Sequence, residues 1–306
     1  MASKHPSPPV AYALLSFASL AWAGNIVVGR AVHAAIPPVS LGFWRWASAF
    51  LILLPIFLPR LRRNRAALLR EWKLVLLLGL IGVAGFSALQ YTALNTASAV
   101  NVALINAVSP VVIPVLARLV WRESLSLRQA LGIGLSLFGV GFVVLRGDPV
   151  LILAQGLTEG DLIMLVAMLC WSVYVTCLGR RPDDLDSGTL LVASIMPALI
   201  VLFPIWLWEI AWVRPMAVDV TTILVIAYIG PVATALAYLG YTAAVPAVGP
   251  TRAGLFIHLM PPFAAVLGMI FLDERLQAFH YLGAGAIFAG LYLTTAGARP
   301  MPPRGV

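Results

Sequence analysis

The second half of this 306-residue chain restates the first. Tyr91-Thr92-Ala93 returns as Tyr241-Thr242-Ala243, Pro110 as Pro261, and Glu123-Ser124-Leu125 as Glu274-Arg275-Leu276. Gly132, Gly134 and Gly139 return with the same mutual spacing as Gly283, Gly285 and Gly290, most pairs standing 151 positions apart. One unit has been duplicated, which divides the chain into residues 1–150 and 151–306. The chain must therefore fold as two like units that pack on each other.

Hydropathy says what kind of unit this is. The chain is 61% hydrophobic and only 10% charged, with a mean hydropathy of +0.96. Soluble domains carry about 25% charged residues, so this chain cannot cover a water-facing surface. It is expected to be an all-α polytopic membrane protein. About 20 apolar residues cross the hydrocarbon of a bilayer, and ten such runs are present. They lie near 10–31, 39–59, 74–92, 98–121, 128–146, 160–179, 188–208, 220–242, 250–272 and 278–297. Ala21-Trp22-Ala23 mimics a signal-cleavage box. The apolar run, however, continues from Val10 to Val32, longer than a signal core. Its Trp22 with Gly29-Arg30 also resembles Trp171 with Gly179-Arg180 of the second half, so the run is expected to stay as a helix.

Five spans per repeat is an odd number, so the second repeat must cross the bilayer inverted relative to the first. The basic residues choose the orientation. Lys4, the six of segment 60–73, Arg122, Arg128, Arg180, Arg181, Arg299 and Arg304 fall on the side of the termini. Arg30, Arg146, Arg214 and Arg275 fall on the other. The excess places both termini in the cytoplasm, in a bacterial inner membrane. The net charge of +8 is thus a loop bias, and no nucleic acid is expected as a partner. Cys170 and Cys177 lie seven helical residues apart, about 10 Å along the axis. That is too far for a disulfide, so they read as small apolar fillers. No Cys or His spacing suggests a metal, and no cofactor is expected.

Interior polar residues are the functional candidates, because an unpaired polar group in hydrocarbon is costly and usually faces a cavity. Span depth puts Trp22, Asn106, Trp171, Tyr174 and His258 near the midplane. Asn25, Arg45, Gln90 and Asn101 lie in the outer half, and Tyr238 and Arg252 in the inner half. Trp22, Asn25, Gln90, Asn101, Asn106, Trp171, Tyr174, Tyr238 and His258 form the expected substrate-binding set. Each alone could instead serve interhelical hydrogen bonding. As a set they offer acceptors for an ammonium, donors for a carboxylate and aromatic wall for a side chain. Pro110, Pro114, Pro261 and Pro262 sit at matching places in the fourth and ninth helices. There they are either static kinks or a pair of hinges. Glu123 and Glu274 are either caps on the fifth and tenth helices or proton-coupling acids.

At these residues the chain resembles the drug/metabolite transporter superfamily, in its ten-helix EamA-type branch. The carrying motifs are Gln90-Tyr91-Thr92-Ala93-Leu94, Ala103-Leu104-Ile105, Pro110, Glu123-Ser124-Leu125 and the glycine-rich stretch from Gly132 to Gly141. The second copy runs from Tyr241 to Gly290, and Trp22-Ala23-Gly24-Asn25 with Arg45-Trp46 also fit the first repeat. Within the branch the chain looks most like the bacterial aromatic amino acid exporters. The resemblance implies two inverted five-helix repeats and export of small molecules by alternating access. The seventh helix has no arginine to match Arg45.

No Asp or Glu lies near the middle of a span, and His258 is the one candidate for a proton relay. That absence favours a uniporter of amino acids, aromatic ones included. The alternative is export of another small metabolite or drug, with proton coupling. An enzyme is not expected, since neither H-E-x-x-H nor G-x-S-x-G occurs. The expected partners are an amino acid substrate and membrane lipid, with a monomer as the working unit.

Overall fold

The computed structural model describes residues 6–32, 35–93, 96–97, 99–122, 125–150, 158–179, 181–272 and 276–295. Among these residues the chain forms helices and their connections, without strands. The long helices are α1 (Pro8–Val32), α2 (Pro38–Arg63), α3 (Trp72–Ala93), α4 (Asn101–Trp121) and α5 (Leu127–Val144). The second half supplies α6 (Glu159–Leu178), α7 (Ser187–Val213), α8 (Val220–Val248), α9 (Pro250–Phe271) and α10 (Ala278–Thr295). Among the described residues nine of them are long and apolar enough to cross a membrane. The tenth, α10, matches the 18-residue length of α5 and packs along it. Leu119, Leu127, Trp212 and Phe271 stay exposed around the bundle, as a lipid-facing surface requires. The chain is a polytopic membrane protein.

Helix starts leave N–H groups without partners, and side-chain oxygens take them up. Ser126 with Gln129 does so at α5, Thr158 with Asp161 at α6, Asp186 at α7 and Asp219 at α8. The Thr222 N–H on the Asp219 carboxylate holds that acid below its ordinary range. Helix α2 starts after Pro37 without a cap of its own. Glu209, buried near the end of α7, supplies one from the other repeat. Its carboxylate accepts the N–H groups of Val39 and Ser40 at 2.9 and 2.6 Å and the Ser40 hydroxyl at 2.8 Å. This explains why α7 runs to Val213, past the predicted end at 208: its last turns carry Glu209 onto α2. Helix α8 likewise runs beyond the predicted 242, to Val248. Glu123 and Glu274 lie outside the described residues.

Corresponding helices of the two halves meet antiparallel, so the inversion expected from parity is visible in the packing. Ser40 at the start of α2 meets Glu209 near the end of α7, and Phe57 near the end of α2 meets Gly188 at the start of α7. Ala107 of α4 meets His258 of α9, while Ile113 meets Gly254. Gly132 of α5 packs on Gly290 of α10, and Gly139 on Gly283. A methyl at Gly132 or Gly139 would run into the facing carbonyl oxygen, so this helix pair approaches at backbone distance. Residue i meeting j while the counterpart of j meets the counterpart of i is the mark of a twofold axis. Ala107 and His258, 151 positions apart, are themselves counterparts and touch, which puts them on that axis.

The helices depart from α geometry at matched places. Leu78–Gly85 in α3 and Ile229–Leu236 in α8 are wider π-helical stretches at the repeat spacing. Helix α4 breaks between Asn106 and Ser109, and α9 tightens into a 3₁₀ turn over Phe256–Leu259. Each break is followed at once by proline. Pro110 and Pro261 have no N–H to offer the carbonyls of Asn106 and Ile257, and their rings crowd those groups. Pro114 and Pro262 extend the same defect along each helix.

The half of the bundle where α1 begins and α10 ends is packed solid. Tyr12 stacks on Phe256 with centroids 5.5 Å apart, and the Ser19 hydroxyl donates to the Phe256 carbonyl at 2.7 Å. Gly179 abuts Pro250, and Leu15, Leu178, Leu190, Tyr241 and Val245 are fully buried between the repeats. The opposite half holds open space.

Candidate functional site

Where the packed half ends, four aromatic rings from both repeats form a floor. The Trp22 centroid lies 5.4 Å from Trp171, 5.3 Å from Tyr238 and 5.2 Å from Tyr241, with Trp22 and Trp171 at 88° to one another. Edge-to-face rings at this spacing hold each other by about 0.5–1.5 kcal/mol per pair beyond burial. Trp22 is fixed further by donating its indole N–H to the Ala233 carbonyl at 2.9 Å. The Trp171 indole nitrogen is buried with no partner among the described residues.

Two adjoining cavities rise from this floor. The deeper, about 50 Å³, is lined by Trp22, Phe86, Trp171 and Tyr238 and by the polar side chains of Asn25, Arg45, Gln90 and Asn106. The wider, about 500 Å³, shares Ile26, Asn106, Ile257 and Met260 with it. It extends to Gly268 and His280, at the ends of α9 and α10 remote from the termini. No acidic residue lines either cavity.

Of the sequence-predicted set, Trp22, Asn25, Gln90, Asn106, Trp171 and Tyr238 line the deeper cavity. His258 lines the wider one, yet both its ring nitrogens are engaged. Nε2 lies 2.9 Å from the Ala107 carbonyl, so it must carry the proton, and Nδ1 accepts from the Ser136 hydroxyl at 2.7 Å. The break in α4 makes this possible. Val111 gives its N–H to Val108, and the Ala107 carbonyl is left for His258. Tyr174 packs under the floor, against Gly82 and 5.5 Å from the Trp171 ring. Asn101 stands apart: its amide donates to the Asp161 carboxylate at 3.0 Å, at the start of α6. Both residues are thus placed as support for the cavity walls, not as part of them. Pro110 and Pro114 are buried, and Pro261 lines the wider cavity.

Arg45 was noted in the sequence but left out of the set, and it is the one charged residue of the deeper cavity. It is only 3% exposed. Its Nε donates to the Thr234 hydroxyl at 3.1 Å and Nη1 to the Tyr91 hydroxyl at 3.2 Å. The guanidinium carbon lies 5.6 Å from the Trp46 ring centre and 6.0 Å from that of Tyr238. Among the described residues it forms no ion pair. The usable signal was a lone arginine inside an apolar span with no acid at any matching depth.

The arrangement suits a molecule with a flat apolar part and a few polar ends, taken from one side of the membrane. Comparison with known proteins agrees in kind. The chain is similar to the uncharacterized transporter YyaM of Bacillus subtilis, 27% identical over 87% of this chain and 86% of that one. It is also similar to the threonine/homoserine exporter RhtA of Escherichia coli, 25% identical over 92% and 89%. A crystal structure covering 96% of this chain and 99% of its own superposes with a TM-score of 0.72 at 19% identity, and so shares the fold. Residues 9–145 and 158–296 each match the EamA-like transporter family, so each repeat is one copy of that unit, and the chain belongs to that family.

Proposed function

We propose that this transporter exports amino acids, aromatic ones among them, across a bacterial inner membrane as a uniporter. The observation that carries the reading is the cavity on the axis between inverted repeats, with an aromatic floor and four polar side chains. Few polar groups in a large apolar site suit varied side chains. The named function of RhtA, export of threonine and homoserine, supports amino acids as the class. The basic bias of the termini and of segment 60–73 puts both termini in the cytoplasm, so the cavity opens to the periplasm. Exchange of conformations between the repeats then gives the inward-open state, with Pro110, Pro114, Pro261 and Pro262 as hinges.

Uniport follows from the lining. Neither cavity holds a carboxylate, and His258 is committed to two hydrogen bonds as a neutral ring. The test is counterflow of a labelled amino acid in vesicles holding the purified protein, with and without an imposed pH gradient. Equal counterflow in both, in the parent and in His258→Gln, is expected. Accumulation driven by protons in the parent sinks the uniport reading. Reporter fusions should place segment 60–73 in the cytoplasm, and a periplasmic signal there would reverse the assigned direction.

A further inference from the structure

The geometry points to Arg45 as the seat of a carboxylate on the transported molecule, so that the cargo is a small organic carboxylate, an amino acid zwitterion included. This rests on the carrier reading above, but not on the cargo being an amino acid.

A buried cation in a membrane is costly unless an anion answers it. The protein surrounds Arg45 with two hydroxyl oxygens and two ring faces, all neutral. These hold the guanidinium at the cavity wall without cancelling its charge. With no acid lining either cavity, a neutral cargo leaves the cation unanswered, and a cationic cargo adds repulsion. A carboxylate removes the cost and fits the planar fork of donors. The remainder of a zwitterion is also provided for. The Asn25 side-chain oxygen is buried without a partner among the described residues and lines the same cavity. The carbonyls of Asn106 and Ile257, deprived of their usual helical donors by Pro110 and Pro261, belong to the same wall. The Trp171 and Tyr238 rings offer further surface for an ammonium.

The experiment is competition against a labelled substrate, and ligand-induced thermal stabilisation, with the full-length protein in lipid nanodiscs. The probes are L-phenylalanine and L-threonine, the amide of each, 3-phenylpropionate and phenethylamine. In the parent, each acid should bind roughly ten- to a hundredfold tighter than its amide, the worth of a hydrogen bond to a charged group. In Arg45→Gln that ratio should fall to about one, and in Arg45→Lys, which keeps the charge but not the fork, to an intermediate value. Should the glutamine variant not fold, the lysine variant carries the test through the same ratio. Equal affinity for acid and amide in the parent overturns the proposal, as does binding by no carboxylate in the panel. An equal loss for both in the variants means Arg45 is only a brace between helices, and this too overturns it. Binding of 3-phenylpropionate but not of either amino acid, lost in Arg45→Gln, keeps the carboxylate seat and removes amino acid export. Binding of amino acids with an unchanged acid-to-amide ratio in Arg45→Gln does the reverse.

Discussion

The two repeats share a scaffold and differ in chemistry at one point. In the first, Arg45 of α2 reaches Tyr91 of α3 and Thr234 of α8. Gly230 of α8 packs on Arg45 and Ser48, and its counterpart, Gly79 of α3, packs on Ser194 and Pro197 of α7. Reciprocity therefore makes Ser194 the counterpart of Arg45. Its hydroxyl turns back to the Leu190 carbonyl at 2.8 Å, reaching no other helix. Symmetry belongs to the packing that lets the repeats trade places. The substrate has no twofold axis, so the groups that read it are not duplicated. Tryptophan is retained in both repeats, at Trp22 and Trp171, since flat apolar wall is useful from either side.

The largest expected effect breaks this comparison at its glycines. A methyl at Gly79 meets the backbone carbonyl of Ser194, which cannot turn aside, whereas one at Gly230 meets the Ser48 hydroxyl, which can rotate. Gly79→Ala should lower stability by about 1–3 kcal/mol or prevent folding, and Gly230→Ala should cost clearly less. Melting in detergent decides it, and equal losses would mean the two faces are equally stiff.

Next come the tryptophans. Trp22→Phe strands the Ala233 carbonyl, about 1–3 kcal/mol, while Trp171→Phe removes an indole N–H that already lacks a partner among the described residues. Trp22→Phe should therefore melt earlier than Trp171→Phe. Alanine at either position should weaken phenylalanine more than threonine, by several-fold for a stacking loss of about 0.5–1.5 kcal/mol. Uniform weakening in competition assays assigns both rings to packing alone.

The smallest effect is on the surface. Arg70 meets Asp184 at 2.6 Å and links the two repeats, but both side chains are exposed. Asp184→Asn should leave the melting temperature unchanged within error, because exposed pairs contribute little.

Much of this was legible in the chain. The glycines of α5 and α10 repeat at fixed spacing because two helices that touch at backbone distance tolerate nothing larger, and that demand leaves a pattern in one dimension. The kinks at Pro110 and Pro261 follow from a missing N–H. Asn101 and Asn106 looked alike, but five residues turn a helix by about 140° past a full circle. They cannot face one cavity, and helical phase alone would have separated them. Arg45 was harder. Its significance lies in the absence of a carboxylate around it, a property of the folded neighbourhood that no local spacing records.

The π-helical stretches bear on how this chain can vary. A wide turn holds one residue more than the α-helix it interrupts, so the segments on either side of Leu78–Gly85, and of Ile229–Leu236, are phased independently. Removing a single residue there would restore a regular helix and swing everything beyond it by about 100°. Gln90 and Tyr91 would leave the cavity wall in one repeat, and Tyr238 in the other. Length at these two apolar stretches is as restrictive as residue identity is elsewhere, even where the side chains themselves touch only lipid.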